Sequence, residues 1–231
     1  MTEALTIAID GPSGSGKSTV ARVVAERLGI GYLDTGAMYR ALTWWCLERG
    51  LDLSDTAEVA DAARALPLDI GTDPEAPTVR VDGHDVGRAI RTSEVSTAVS
   101  AVATNREVRP VLQQLQRDLM ARIAEQTGGV VAEGRDITTV VAPDARVRVL
   151  LTASEEARLR RRSAELHGDS GAESVEATRD QVVRRDRDDS TVSSFTEAAD
   201  GVELLDTSDL SLEESIEAVL DIVAQRTTDD D

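Results

Sequence analysis

Apolar and polar residues alternate along this chain in two rhythms. Leu5-Thr6-Ile7-Ala8-Ile9 is a short, nearly continuous apolar run, the pattern of a strand buried in a parallel sheet. A glycine-rich turn follows, and then Val20, Val23, Val24 and Leu28 recur at helical spacing. Similar runs predict strands over Gly129–Ala132, Arg146–Leu151 and Val202–Leu205, with helices between them over Gly36–Arg49, Ser93–Ala103, Arg106–Glu125, Glu155–Leu166, Ser174–Arg185 and Leu212–Gln225. Strands alternating with helices predict an α/β fold with a mainly parallel sheet covered on both faces. The stretch from about Leu66 to Arg91 breaks the rhythm with Pro67, Pro74, Pro77 and an Asp82-Gly83 turn, and Thr78–Val81 alternates like a small antiparallel strand. Residues 60–100 are therefore expected to form an inserted subdomain. Gly168 to Glu173, between two arginine-rich helices, is expected to be the tip of a lid spanning about 158–190.

Composition narrows the picture. Apolar residues make up 41% of the 231 and aromatic residues only 2%, so the core must be aliphatic. Cys46, the one cysteine, excludes an internal disulfide framework and a multi-cysteine zinc site, and reads as a small core residue. No run approaches the ~20 apolar residues of a membrane span, and the start lacks a signal-like pattern, so a cytoplasmic protein without a membrane partner is expected. A net charge of −18 argues against a nucleic-acid surface. The acidic tail, residues 227–231, is expected to be disordered, and residues 1–226 to form one domain.

The basic residues are few but concentrated: ten arginines fall between Arg146 and Arg187. Lys17 is the only lysine among 25 basic residues. A drift toward arginine explains the others and leaves this exception to be explained; a compact charge on a flexible stem suits a phosphate cradle.

Lys17 lies in the strongest motif of the chain, Gly11-Pro12-Ser13-Gly14-Ser15-Gly16-Lys17-Ser18, followed by Thr19. Glycines let backbone N–H groups turn inward around an anion, and the following helix adds its dipole. Lys17 is placed to reach the β- and γ-phosphates of ATP, and the Ser18 hydroxyl to ligate Mg²⁺. The motif implies a bound nucleoside triphosphate and leaves the reaction open.

Four further segments supply candidate chemistry. Leu33-Asp34-Thr35-Gly36-Ala37-Met38-Tyr39-Arg40 sets a hydroxyl and a guanidinium at the start of a helix, a site for a second anion or simply a capped helix with a solvated arginine. Arg109, before Pro110, carries no physical demand for a ligand. Val130-Val131-Ala132-Glu133-Gly134-Arg135-Asp136 ends an apolar strand in charged residues, where an α/β sheet places its ligand crevice. Glu133 there suits the metal, directly or through water, Arg135 a phosphate, and Asp136 an exocyclic amine; a structural Arg–Asp pair is the alternative. Arg158, Arg161 and Arg162 share a helix face, and Arg184, Arg185 and Arg187 follow with Asp186, Asp188 and Asp189. Such arginines close over a transferring phosphoryl group, or form a solvated helix pair. A GTPase is excluded for want of a second lysine in a guanine-reading motif, and a catalytically dead module sits poorly with Lys17, Ser18 and Glu133 all in place.

Taken in order, these segments, with Ser96–Ser100, Gly134–Ala145, Arg161-Arg162, Arg185–Ser190 and Asp206-Thr207-Ser208, resemble the bacterial cytidylate kinase family of P-loop nucleoside monophosphate kinases. The resemblance implies a P-loop NTPase-type core with an NMP-binding insert and a helical lid. It implies transfer of the γ-phosphoryl of ATP to CMP and dCMP, with Mg²⁺, in pyrimidine nucleotide metabolism, by a monomer; a P-loop kinase for another small acceptor is the alternative. It further implies that Ser100, Arg109 and Asp136 contact cytosine, that Thr35, Arg40 and Arg135 hold the CMP phosphate, and that Tyr39, Arg185 and Asp189 contact the sugar. Arg161 and Arg187 would belong to the lid, and Lys17, Arg135, Arg161, Arg185, Arg187 and Asp189 to the catalytic set. One departure stands out: the arginine the family places three residues after the aspartate at 189 is Val192 here, so that charge is either missing or supplied from elsewhere, with Arg184 and Arg187 as the candidates. Before nucleotides close the lid, residues 160–189 are expected to be displaced or poorly ordered, with the arginines too far from Lys17 to share a ligand.

Overall fold

The computed structural model describes residues 4–167 and 172–228. Its centre is a five-stranded parallel sheet of β1 (Leu5–Asp10), β2 (Gly31–Asp34), β6 (Gly129–Gly134), β7 (Val147–Thr152) and β8 (Glu203–Asp206). The spatial order is β2-β6-β1-β7-β8. From β1 the chain runs to one side, and after β6 it crosses to the other. The carboxyl end of β1 therefore lies at the switch point where α/β sheets open a crevice. Both neighbours pair with β1 in register, Asp10 opposite Gly134 on one side and Leu150 on the other.

Helices cover both faces. On one, α1 (Lys17–Leu28) and α8 (Leu212–Thr228) bury Val20, Val24, Ile216 and Val219 against Ile7, Ile9, Val147 and Val149. On the other, α2 (Thr35–Glu48) and α5 (Val108–Thr127) bury Met38, Leu119 and Ile123. A third apolar cluster joins α2 to α3 (Thr56–Arg64), α4 (Ser93–Ala103) and α5 through Leu42, Val59, Val99 and Leu112. Cys46 lies within it, fully buried, and burial pushes its thiol up to about 11. No helix of the described residues is long and apolar enough to cross a membrane.

A separate antiparallel sheet of β3 (Leu68–Ile70), β4 (Val79–Val81) and β5 (His84–Asp85) packs Ile70, Val79 and Val81 onto the α2 side of the core. Its tight hairpin turns at Asp82 and Gly83, with φ of 52° and 77°. Positive φ at both central residues is what a two-residue hairpin demands, and Asp-Gly meets it.

Several boundaries depart from the expected ones. β2 and α3 were not foreseen: β2 is only four residues long, and α3 buries just Val59, Ala60 and Ala63, an apolar stripe too small to stand out. After β6, residues Ile137–Val141 form a π-helical turn, a period that no 3.6-residue pattern discloses. The α6 helix (Glu155–His167) and α7 (Ala172–Asp189) form the arginine-rich pair. α7 continues a full turn beyond Arg185, which puts the Arg-Asp run on the helix itself. Of the expected lid tip, Gly168 to Glu173, residues 168–171 lie outside the described residues, and Ala172 and Glu173 begin α7. α8 runs to Thr228, so Thr227 and Thr228 of the expected disordered tail are helical, and 229–231 lie outside the described residues.

Candidate active site

β1 ends in Asp10, and its buried carboxylate organises the crevice. Oδ1 accepts from the Ile137 N–H at 3.0 Å; Oδ2 accepts from the Thr138 N–H at 2.8 Å and the Thr138 hydroxyl at 2.6 Å. The clasp fixes the turn that carries Arg135 and Asp136. Burial pushes this carboxyl up to about 6 despite those three donors.

The phosphate loop begins at the next residue. Gly14 and Gly16 have φ of 77° and 90°, and a Cβ on Gly14 would lie 2.5 Å from the Arg158 carbonyl oxygen on α6. Glycine is thus required there both for conformation and for close approach. Gly16 precedes α1 with no side chain capping the helix, which leaves N–H groups of the first turn open to an anion. The Lys17 ammonium donates to the Pro12 carbonyl at 3.4 Å. Burial pulls it below the ordinary lysine range, and Glu133 opposes that shift. The Ser18 hydroxyl donates to Glu133 Oε1 at 2.7 Å. Burial, with Asp34 beside it, raises the Glu133 carboxyl.

From this loop opens a cavity of about 420 Å³. Ser13 to Thr19 form one wall. Thr35, Tyr39 and Arg40 come from α2, Arg109 from α5, Glu133, Arg135 and Asp136 from the end of β6, and Arg161, Arg162, Arg185 and Asp189 from α6 and α7. Eight basic side chains face it against four carboxylates, in a chain whose net charge is −18. The scarce positive charge has been gathered where an anion would sit.

The polar atoms here are left wanting partners. Among the described residues, seven carry buried side-chain nitrogen or oxygen atoms without a hydrogen-bond partner; five of them, Ser15, Tyr39, Arg40, Arg185 and Asp189, line this cavity. Buried polar groups are nearly always paired, so such a cluster marks a place shaped for a polar ligand. Burial pulls the guanidinium of Arg185 well below the ordinary arginine range, with the neighbouring Arg40 and Arg135 adding to it. Burial likewise lowers Arg40 and raises Tyr39.

Asp136 is gripped from one side. Arg109 Nη2 and Gln113 Nε2 both donate to its Oδ2, at 2.6 and 2.7 Å. No described residue donates to Oδ1. Arg109 and Asp136 form a buried ion pair, with side chains 13% and 7% exposed. Arg135 Nε pairs with Asp189 Oδ2 at 3.0 Å, and its guanidinium stacks over Phe195 at 4.7 Å.

Not every expected residue faces the cavity. Gly11 and Pro12 are buried behind the loop, and a Cβ on Gly11 would lie 2.2 Å from the Leu151 carbonyl oxygen. Ser100 sits half-buried on α4, where its neighbours Val99 and Ala103 reach the cavity and it does not. The Thr35 hydroxyl donates to the Glu133 carbonyl at 2.7 Å, tying α2 to β6. Arg187 is turned away: its side chain is 75% exposed and, among the described residues, pairs with Asp188. On α7, two residues from Arg185, it points to the opposite side of the helix. Arg184 is exposed as well. Val192 lines an adjoining groove beside Arg109 and Gln113, outside the main cavity. The additional cations inside are instead Arg162 and Arg91, the latter 3.4 Å from Asp34.

The separation expected between the arginine helices and Lys17 is not seen. Arg158 Nη1 donates to the Ser13 carbonyl at 3.0 Å, and Arg161 Nη1 to the Ser15 carbonyl at 3.2 Å. Arg161 also donates to Thr207, from Nη1 to the hydroxyl at 3.0 Å and from Nη2 to the carbonyl at 2.6 Å. Sequence reading named Asp186 within the Arg-Asp run without a role, and gave no role to Gln113 or Asp10. Gln113 was within reach, one helical turn after Arg109 on the same face; nothing local marked Asp10.

The family model of cytidylate kinase matches residues 7–225. A cytidylate kinase of Streptomyces avermitilis is 49% identical over 225 residues, covering 96% of this chain and 94% of that protein. A cytidylate kinase of Rhodococcus jostii is 48% identical over 228 residues, covering 98% of this chain and 97% of that one.

Proposed function

The chain belongs to the cytidylate kinase family, and on that footing we infer that it transfers the γ-phosphoryl group of ATP to CMP and dCMP, giving CDP or dCDP and ADP. It is a nucleoside monophosphate kinase. The observation that carries the assignment of its site is the cluster of buried polar atoms without a hydrogen-bond partner, those of Arg40 and Arg185 foremost, in the cavity that begins at Lys17.

In this reading the loop from Gly11 to Thr19 wraps the phosphates of ATP, with Lys17 at the β- and γ-oxygens. The CMP phosphate lies between Thr35, Arg40 and Arg135. Tyr39, Arg185 and Asp189 line the sugar, and Arg109, Asp136 and Ser100 the base. A phosphate oxygen of CMP attacks the γ-phosphorus in line, and ADP leaves. Phosphoryl transfer needs little covalent help from the protein; it needs the two phosphates held in line and their charge countered. Lys17, Arg135, Arg161 and Arg185 supply that charge from positions already fixed by packing.

Ser18 and Glu133 offer a hydroxyl and a buried carboxylate in contact, hard oxygen donors of the kind that hold Mg²⁺ beside nucleotide phosphates. The ion, when bound with ATP, neutralises charge on the β- and γ-oxygens. The antiparallel sheet and the greater part of α4, within residues 60–100, would serve as the NMP-binding insert, and α6 with α7 as the lid.

The test is an acceptor panel. With ATP and Mg²⁺, CMP and dCMP should be phosphorylated and UMP, AMP and shikimate used at least tenfold less well by kcat/KM. Preference for any of the last three would overturn the assignment.

A further inference from the structure

Asp186 belongs to no part of the site so far described, yet it touches both of its halves. It lies in the last turn of α7 with a side chain 15% exposed. Its Oδ1 accepts from the Ser13 N–H of the phosphate loop at 3.1 Å and from Arg135 Nη1 at 2.8 Å. Its Oδ2 pairs with Arg158 Nη1. The same Arg158 nitrogen donates to the Ser13 carbonyl at 3.0 Å. The backbone of Ser13 is thus held on its donor side by α7 and on its acceptor side by α6. The carboxylate that holds its donor side also holds the arginine assigned to the CMP phosphate.

Burial by itself would raise the Asp186 carboxyl; Arg135, the Ser13 N–H and Arg158 outweigh it and hold it below the usual carboxylate range. A carboxylate with charge-assisted bonds to two arginines is a stiff joint, stronger than neutral bonds of the same geometry. Ser13 lies on the loop after β1 and Arg135 after β6; the Asp10 clasp ties the bases of these two loops, and Asp186 joins them again at the residues that face the nucleotides.

We propose that Asp186 is a positioning residue that couples the two nucleotide sites, so that ordering the phosphate loop around ATP orders Arg135 for CMP, and the reverse. The proposal rests on the assignment of Ser13 to the ATP side and Arg135 to the CMP side. Coupling of this kind is reciprocal: each nucleotide tightens the other by the same factor. A residue acting only as structural cement would weaken both nucleotides alike and leave that factor unchanged.

The experiment measures, by calorimetry, the dissociation constant of CMP with and without a saturating non-hydrolysable ATP analogue and Mg²⁺, for the wild type, Asp186→Ala and Asp186→Asn. The wild type should bind CMP about fivefold or more tightly with the analogue present, within the usual range of coupling. Asp186→Ala should bind each nucleotide alone within about threefold of wild type, and the coupling factor should fall to near one. Asp186→Asn keeps an oxygen for Ser13 and Arg135 and should retain part of the coupling, which guards against an alanine variant that fails to fold. Equal coupling in wild type and Asp186→Ala, or no coupling in the wild type, overturns the proposal. Turnover of CMP by the wild type is assayed in the same preparation. Its absence would instead remove the functional assignment beneath the proposal.

Discussion

Replacing Asp136 by asparagine should reverse the base preference of this kinase. In the wild type both protein donors, Arg109 Nη2 and Gln113 Nε2, converge on Oδ2. In the proposed site Oδ1 is left for the base: the 4-amino group of cytosine would donate to that oxygen, whereas uracil would present an acceptor to an acceptor. The mismatch costs about 1–3 kcal/mol, or roughly ten- to a hundredfold in kcat/KM. An asparagine cannot turn freely here. Two fixed donors hold its carbonyl oxygen where Oδ2 was, so its NH₂ takes the place of Oδ1 and now donates. Uracil gains the matching partner and cytosine loses it. The two effects act in the same direction, so the CMP-to-UMP ratio of kcat/KM should fall by about 2–4 kcal/mol, or ~30- to 1000-fold. Losing the counter-charge of a buried Arg109 should cost about 1–3 kcal/mol of stability, a fall in Tm of several degrees for a chain of this size. ADP release at subsaturating CMP and UMP measures the ratio. If it stays within twofold of the wild type while the variant remains folded, Asp136 does not read the base.

Lys17→Met should lower kcat by ~10³ or more with the fold intact by circular dichroism, since the charge it supplies is needed most in the transition state. Because Lys17 is the only lysine, an amine-reactive reagent should mark it alone besides the α-amino group, and ATP should protect it; equal labelling with and without ATP would speak against its place at the phosphates. The arginines of α7 should divide sharply: Arg185→Ala should lose at least ~10² in kcat/KM for CMP, while Arg187→Ala, removing a side chain 75% exposed, should stay within about twofold. Equal losses would mean that Arg187 swings into the cavity during turnover. Asp10 gives a pH prediction. Its folded carboxyl is raised to about 6 from 3.8, so between those values the folded protein keeps a proton that the unfolded chain releases. Its contribution to stability is therefore lost as pH rises from about 4 to about 6, by up to about 3 kcal/mol. Urea unfolding of Asp10→Asn should show a flatter pH dependence over that window, and an unchanged slope would count against the shift.

Those features that depend on neighbouring residues were legible in the sequence. Glycines at the positions of positive φ, a hydroxyl and the solitary lysine define the phosphate loop within eight residues, and the apolar run before it fixes a buried strand. Asp82-Gly83 announces its hairpin by the same logic, because the turn needs residues that tolerate positive φ. The family likeness extended this to a list of site residues drawn from six further segments. What the chain could not disclose is direction and partnership. Arg185 and Arg187 look equivalent in Arg185-Asp186-Arg187. At about 100° per residue they stand on opposite sides of α7, and only the docking of that helix decides which one is buried. Ser13 and Asp186 are 173 residues apart, and Asp10 clasps Thr138 across 128; neither pair carries a local mark. β2 and α3 are too short, or too small in their apolar stripe, to be told from loop without the layer they pack against. Local conformation is set by local sterics and is written in order along the chain. The partners of a buried charge are set by which surfaces meet, and that is decided only when the helices and the sheet come together.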